Sequence, residues 1–150
     1  MRKLKRLFVS ASFIAIALLS INTTQAQTVQ IQKQELPKNA IEFLDKNFTK
    51  QTISYITQEK EWFSTDYTVV LEDQTKIDFD KNGNWEEVEN KAKGIPTDFI
   101  LPSISKYVTT NFPNTQIIKI EKDSNKYDVK LSNSLELVFN LKGNFTRIDD

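Results

Sequence analysis

The sequence predicts an α+β fold: two tandem α-β-β-β-β repeats, with helices packed on one face of antiparallel sheets and up to eight strands in total. Three observations point there. The pattern Tyr67-x-Val69-x-Leu71, Ile77-x-Phe79, Gly83-x-Trp85-x-x-Val88 returns sixty residues later as Tyr127-x-Val129-x-Leu131, Leu137-x-Phe139, Gly143-x-Phe145-x-x-Ile148. Apolar residues alternate with polar ones within each pattern, the period of a half-buried strand. Each pattern also follows a Leu-Pro pair and a stretch with apolar residues three and four apart, the spacing of one helical face.

In chain order, Arg2, Lys3, Lys5 and Arg6 form a basic cluster, and Leu7 to Ile21 is apolar apart from serines. Thr24-Gln25-Ala26 supplies small residues at the −3 and −1 positions of a cleavage site. This is the layout of a secretory signal peptide over residues 1–26, too short in its apolar part for a span of about 20 residues. Residues 27–35 are polar and Gln-rich and are expected as a flexible lead-in. The domain proper is expected over residues 36–150, with repeats at 36–90 and 95–150.

Pro37 suits the first turn of a helix, where its missing N–H costs nothing. Ala40, Ile41, Phe43, Leu44 and Phe48 give that helix, near residues 37–48, an apolar face. Ile53, Tyr55 and Ile56 begin the sheet. Glu72-Asp73-Gln74 and Lys81-Asn82-Gly83-Asn84 carry turn chemistry, glycine permitting positive φ. Trp85 and Val88 cannot share a face of a regular strand, so a bulge or burial on both faces is expected there. Leu101-Pro102 matches Leu36-Pro37, and Ile104, Tyr107, Val108 and Phe112 form the second helical face. The helices align at an offset near 64 and the hairpins at 60, so the first repeat carries about four extra residues between Glu59 and Asp66. Trp62 and Phe63 lie in that insertion.

Removing the four basic leader residues leaves 16 Lys and Arg against 20 Asp and Glu, a net charge of −4. An acidic chain with no basic run after Arg6 repels phosphate backbones, which argues against nucleic acid as a partner. With no cysteine there is no disulfide and no lipid anchor, so no membrane attachment is expected after cleavage. The product is expected in the periplasm or the medium.

Together the leader, the two Leu-Pro helices, Tyr-x-Val-x-Leu, Ile77-Asp-Phe-Asp-x-x-Gly83-x-Trp85 and the closing Gly143-x-Phe-x-x-Ile148-Asp resemble the exported PepSY-like family, also described as β-lactamase-inhibitor-protein-like. The resemblance runs from about Leu36 to Asp150. It implies helices packed on antiparallel sheets in tandem repeats, and binding or inhibition of another exported protein. Where such members carry Asp-Gly or Asn-Gly at a hairpin, this chain has Asp73-Gln74 and Asn133-Ser134.

Four observations bear on chemistry. Asp78-x-Asp80-x-Asn82-Gly83-x5-Glu89 spells a calcium-loop pattern. Its flanks read as strands where that loop needs helices, and the second copy has Val138, Asn140 and Lys142 at the matching sites, so a hairpin is the expected structure and no metal ligand is assigned. There is no His or Cys, no Gly-x-Ser-x-Gly elbow, and too few glycines for a phosphate-cradling loop. No catalytic residue and no cofactor follow; the expected activity is non-enzymatic, with a small ligand or calcium as the alternative to a protein partner. Trp62 and Phe63 are the candidate partner-binding residues: either they stand exposed on a hairpin tip as anchors, or they fold back over the sheet edge and extend the core.

Overall fold

The computed structural model describes residues 27–149; the predicted leader lies outside the described residues. Two helices, α1 (Lys38–Asn47) and α2 (Pro102–Asn111), pack on one face of a nine-stranded antiparallel sheet whose strands follow chain order. These are β1 (Gln27–Gln30), β2 (Ile53–Lys60), β3 (Thr65–Leu71), β4 (Lys76–Phe79), β5 (Trp85–Glu89), β6 (Ile117–Lys122), β7 (Lys126–Leu131), β8 (Glu136–Asn140) and β9 (Phe145–Asp149).

The ninth strand corrects the sequence reading. Residues expected as a loose lead-in form β1, which pairs with β2 from Gln27↔Lys60 to Gln30↔Thr57, followed by a 3-10 turn at Lys33–Glu35. All four residues of β1 are exposed, so no apolar alternation announces it. What makes it a strand is the long free edge of β2, whose unpaired backbone groups accept a partner of almost any composition. Ile31 continues the pairing, its N–H donating to the Ile56 carbonyl, and its side chain packs on the core.

The helices carry the faces that their spacing requires. Leu36, Ala40, Leu44 and Phe48 are buried from α1 and its flanks; Ile100, Ile104, Val108 and, in part, Phe112 do the same from α2. The matching residues stand 64 apart, which puts the two Leu-Pro pairs one residue out of step. Leu36 is buried and Pro37 caps α1, whereas Leu101 caps α2 and Pro102 is its first residue. Ile100, not Leu101, takes the place of Leu36.

The sheet contributes Val69, Leu71, Ile77, Phe79, Val88, Ile120, Val129, Leu131, Leu137 and Phe139, each at most 1% exposed. Each such side chain contributes about 1.5–3 kcal/mol relative to exposure. Bulges turn both ends of the Gly-x-aromatic pattern to the same face of the sheet, Trp85 with Val88 and Phe145 with Ile148, although Ile148 on the edge strand stays exposed. Phe79 pairs with Trp85 while Asp78 pairs with Glu87, leaving Glu86 as the extra residue. Phe139 with Phe145 and Val138 with Arg147 do likewise around Thr146. Aromatic contacts tie helix to sheet: Phe43 lies edge-on to Phe79 with centroids 5.7 Å apart, and Tyr107 stacks on Phe145 at 4.6 Å.

One pin in the core is polar. Asn90, 2% exposed, donates to the Asp73 carbonyl and to Thr75 Oγ1, and accepts from the backbone N–H groups of Ala92 and Lys93. It fixes the β3–β4 turn against the chain leaving β5. All its hydrogen-bonding groups are occupied, which is what makes a buried amide tolerable.

Candidate functional site

The helix-free face of the sheet is polar, as strand alternation requires. One row crosses every strand in register: Gln30, Thr57, Thr68, Asp78, Glu87, Glu121, Asp128, Val138 and Arg147. Four neighbouring strands therefore present four carboxylates side by side. Lysines from the adjoining positions neutralise them: Lys76 meets Asp78 at 2.6 Å, Lys119 meets Glu87 at 2.7 Å and Glu121 at 3.2 Å, and Lys126 meets Asp128 at 2.7 Å. Desolvation pulls the Lys76 and Lys119 ammonium groups down, but these carboxylates outweigh it and hold both above the ordinary lysine value.

Towards the β4–β5 and β6–β7 turns the balance becomes acidic. Asp78, Glu86, Glu87, Glu121, Lys122 and Asp123 line a shallow hollow of about 210 Å³. Glu86, the bulge residue, has its pKa raised first by desolvation and then by repulsion from Asp80, Asp66, Asp78 and Asp123.

The calcium-pattern residues do not converge. Asp80 Oδ1 accepts the backbone N–H groups of Asn82 and Asn84, and Oδ2 accepts Asn84 Nδ2, so this carboxylate organises the turn. Desolvation pushes against these bonds, yet together they hold the Asp80 carboxyl below its usual value. Asp78 accepts from Thr68 and Lys76. Glu89 pairs across the strands with Lys76 and meets Lys91 at 3.3 Å. Four residues of extended chain separate Lys76 from Asp80, roughly 13 Å, too far for one coordination sphere. Among the described residues, no group of three or more acidic side chains is arranged to hold a metal ion. Asn140 accepts from the N–H groups of Lys142 and Asn144 in the second half, the same turn without the charge. The pattern spells a hairpin because a calcium loop and this turn both need an Asx acceptor followed by a positive-φ glycine.

The insertion gives the longest hairpin of the sheet. β2 and β3 run on to Lys60 and Thr65, and the tip closes with Glu61 N–H donating to the Ser64 carbonyl. The shorter counterpart closes between Asp123 and Lys126. At the tip Trp62 is 78% exposed and Phe63 91%, their ring centroids 6.1 Å apart. The rings meet each other and do not fold onto the sheet edge. Other exposed large apolar residues, Val29, Tyr55, Leu141 and Ile148, are scattered singly and far less exposed. The tip lies at the same end of the sheet as the acidic hollow, since β2 and β4 both run towards it.

A feature that the sequence reading missed is the aromatic group at the seam. Phe99, in the connector, meets Phe43 at 5.2 Å and Trp85 at 5.4 Å, and Trp85 stacks on Tyr127 at 6.4 Å. Its signal was present as an aromatic just before Leu101-Pro102, outside both helical faces.

A helix-backed antiparallel sheet with an aromatic hairpin tip defines a class of small α+β domains that present one sheet face and its turns. The model of the β-lactamase-inhibitor-like, PepSY-like family matches residues 65–147, and the chain belongs to that family. Among solved structures it is similar to a candidate calcium-regulated periplasmic protein of Bacteroides thetaiotaomicron, with 39% identity and a TM-score of 0.79, over 82% of this chain and 97% of that one. A candidate periplasmic protein of the DUF2874 family from Bacteroides vulgatus is 36% identical, with a TM-score of 0.76, over 82% of this chain and 97% of that one. Another from the same species, of unknown function, is 34% identical with a TM-score of 0.76, over 83% of this chain and all of that one. No curated protein matches the chain. None of these descriptions names an enzyme, and the three structural relatives are described as periplasmic, which supports that location here. Among the described residues no helix is long and apolar enough to cross a membrane.

Proposed function

We propose that this chain is an exported, non-enzymatic protein-binding module of the inhibitor or modulator type, anchored on its partner by Trp62 and Phe63. The observation that carries the reading is the exposure of two adjacent aromatic side chains on the longest hairpin. Each aromatic can bury about 150–250 Å² on contact, and paired aromatics are what interface hot spots are made of. The two halves, which share turn geometry at an offset of 60 and helix geometry at 64, are read as a duplicated unit in which only the first copy gained the tip. Affinity capture from an envelope extract of the source organism tests the reading, with residues 27–150 as bait beside a Trp62→Ala/Phe63→Ala bait. A protein held by the first and lost from the second is the expected result. Equal retention by both baits sinks the anchor role.

A second reading is calcium binding, favoured by the description of the 39% identical relative as calcium-regulated. Here the acidic surface around the open-face hollow would attract the ion, since the Asp78, Asp80, Asn82 and Glu89 set does not converge. Binding confined to the folded state raises the melting temperature. Calcium titration, with magnesium as control, should raise Tm and change Trp85 emission. An unchanged Tm at saturating calcium ends this reading.

A further inference from the structure

With the two helices aligned at an offset of 64, one apolar position of α1 becomes small and polar in α2. Ile41 N–H donates to the Pro37 carbonyl, and Ser105 N–H to that of Leu101, so Ser105 stands where Ile41 stands in α1. In the first half Ile31, Ile41 and Ile53 all pack against the core. Their counterparts, 64 residues on, are Ile95, Ser105 and Ile117. Two of the three apolar side chains are kept, and the third is a hydroxyl.

A hollow of about 230 Å³ opens there, between α2, the connector and the start of β6, and Ser105, Ile95, Val108, Ile117 and Lys93 are among its lining residues. Ser105 Oγ is buried and has no hydrogen-bond partner within the protein. Two neighbouring hydroxyls are already engaged: Thr109 Oγ1 donates to the helix carbonyls of Ser105 and Lys106, and Thr115 Oγ1 to that of Phe112, while among the described residues the Thr97 hydroxyl and the Gln116 side-chain amide on the same lining make no such bond. Lys93 joins none of the ion pairs among the described residues.

We infer that this hollow is a binding site for a short-chain aliphatic carboxylate. The side chains of Ser105, Thr97, Gln116 and Lys93 can all donate, and Lys93 is the charged residue of the lining, which favours an accepting and anionic head group. Ile95, Val108 and Ile117, at most 8% exposed, offer an apolar wall for the chain. A small pocket with an apolar lining and a few convergent polar groups is the usual form of a small-molecule site. This inference is independent of the Trp62/Phe63 tip, which lies in the other half.

The test is a titration of sodium hexanoate into isotopically labelled residues 27–150, followed by amide chemical shifts, with hexylamine as the charge-reversed probe. Saturable shifts confined to the connector, the Ser105–Thr109 face of α2 and the start of β6 are expected for hexanoate only. Ser105→Ile, which restores the residue type of α1, should weaken binding by about tenfold or more while leaving the protein folded. Lys93→Gln, at an exposed position that the fold does not need, should weaken it by a smaller factor. Absent or non-saturating shifts, equal binding of hexylamine, or undiminished binding by the two variants would each overturn the inference, leaving the hollow to water.

Discussion

Gly83 and Gly143 occupy the same turn position, φ +80° and +77°, yet alanine should harm them unequally. An L-residue in this region costs about 1–2 kcal/mol at either site. At Gly83 an added Cβ would lie 2.7 Å from the backbone nitrogen of Ala40 and 2.8 Å from Pro37 Cβ, atoms of the first turn of α1 that cannot swing aside. The β4–β5 turn would have to leave the helix, breaking the 3.1 Å bond from Asn39 Nδ2 to the Asn82 carbonyl. That bond contributes about 1 kcal/mol, so Gly83→Ala should cost about 2–3 kcal/mol in all. At Gly143 the closest atom is Ser103 Oγ, the mobile end of an exposed side chain that a rotamer change removes. Only its 3.4 Å contact with the Lys142 carbonyl is lost, and Gly143→Ala should cost about 1–2 kcal/mol. Urea unfolding followed by Trp85 fluorescence in a Trp62→Phe background measures both. Equal losses, or a larger one at Gly143, would refute the argument that the helix backbone sets the difference.

Gln74 and Ser134 take φ of +71° and +73° without being glycine, so Gln74→Gly and Ser134→Gly should each stabilise by about 0.5–1 kcal/mol, read as a rise in urea midpoint at constant slope. Asn90→Ala strips four hydrogen bonds from a buried site and should cost about 2–4 kcal/mol in the same assay; a loss under 1 kcal/mol would show that Asn90 is no pin. Glu86 binds its proton more tightly in the folded chain than in the unfolded one, whose value is near 4.5, so its contribution to stability falls as pH rises from there through the folded value. Glu86→Gln should therefore be more stable than the parent at neutral pH and indistinguishable from it below the unfolded value. Because the side chain is exposed, the gain should shrink in high salt, and a gain that persists in acid contradicts its electrostatic origin.

The helices and most strands were legible because burial writes a period into sequence, two for Tyr67-Val69-Leu71 and three and four for Ala40-Leu44-Phe48, whereas β9, with no buried residue, was legible from its match to β5. The β5 bulge was legible only as one of two alternatives, since Trp85 and Val88 allowed a bulge or burial on both faces, and the structure takes the bulge. β1 was not, because an edge strand held by backbone bonds leaves no apolar trace in Gln-Thr-Val-Gln. Asn90 reads as surface chemistry until its four partners, supplied by segments on both sides, are known. At the tip the sequence placed Trp62 and Phe63 in an insertion, but only geometry separates exposed rings from rings folded back. Ser105 is similarly silent: a serine on a helix is ordinary until its counterpart proves to be an isoleucine packed against the core.

The seam between the halves has a further consequence. β5 pairs directly with β6, and Phe43, Phe99, Trp85 and Tyr127 form one unbroken aromatic chain from α1 to β7. Melting either half would strip the other of a strand partner and of part of its apolar cover. The molecule should then lose structure in one cooperative event, reported alike by calorimetry and fluorescence, instead of in two steps. Such coupling makes the Trp62/Phe63 hairpin an appendage on a single rigid body: local opening is confined to the tip, and the rest opens together or not at all.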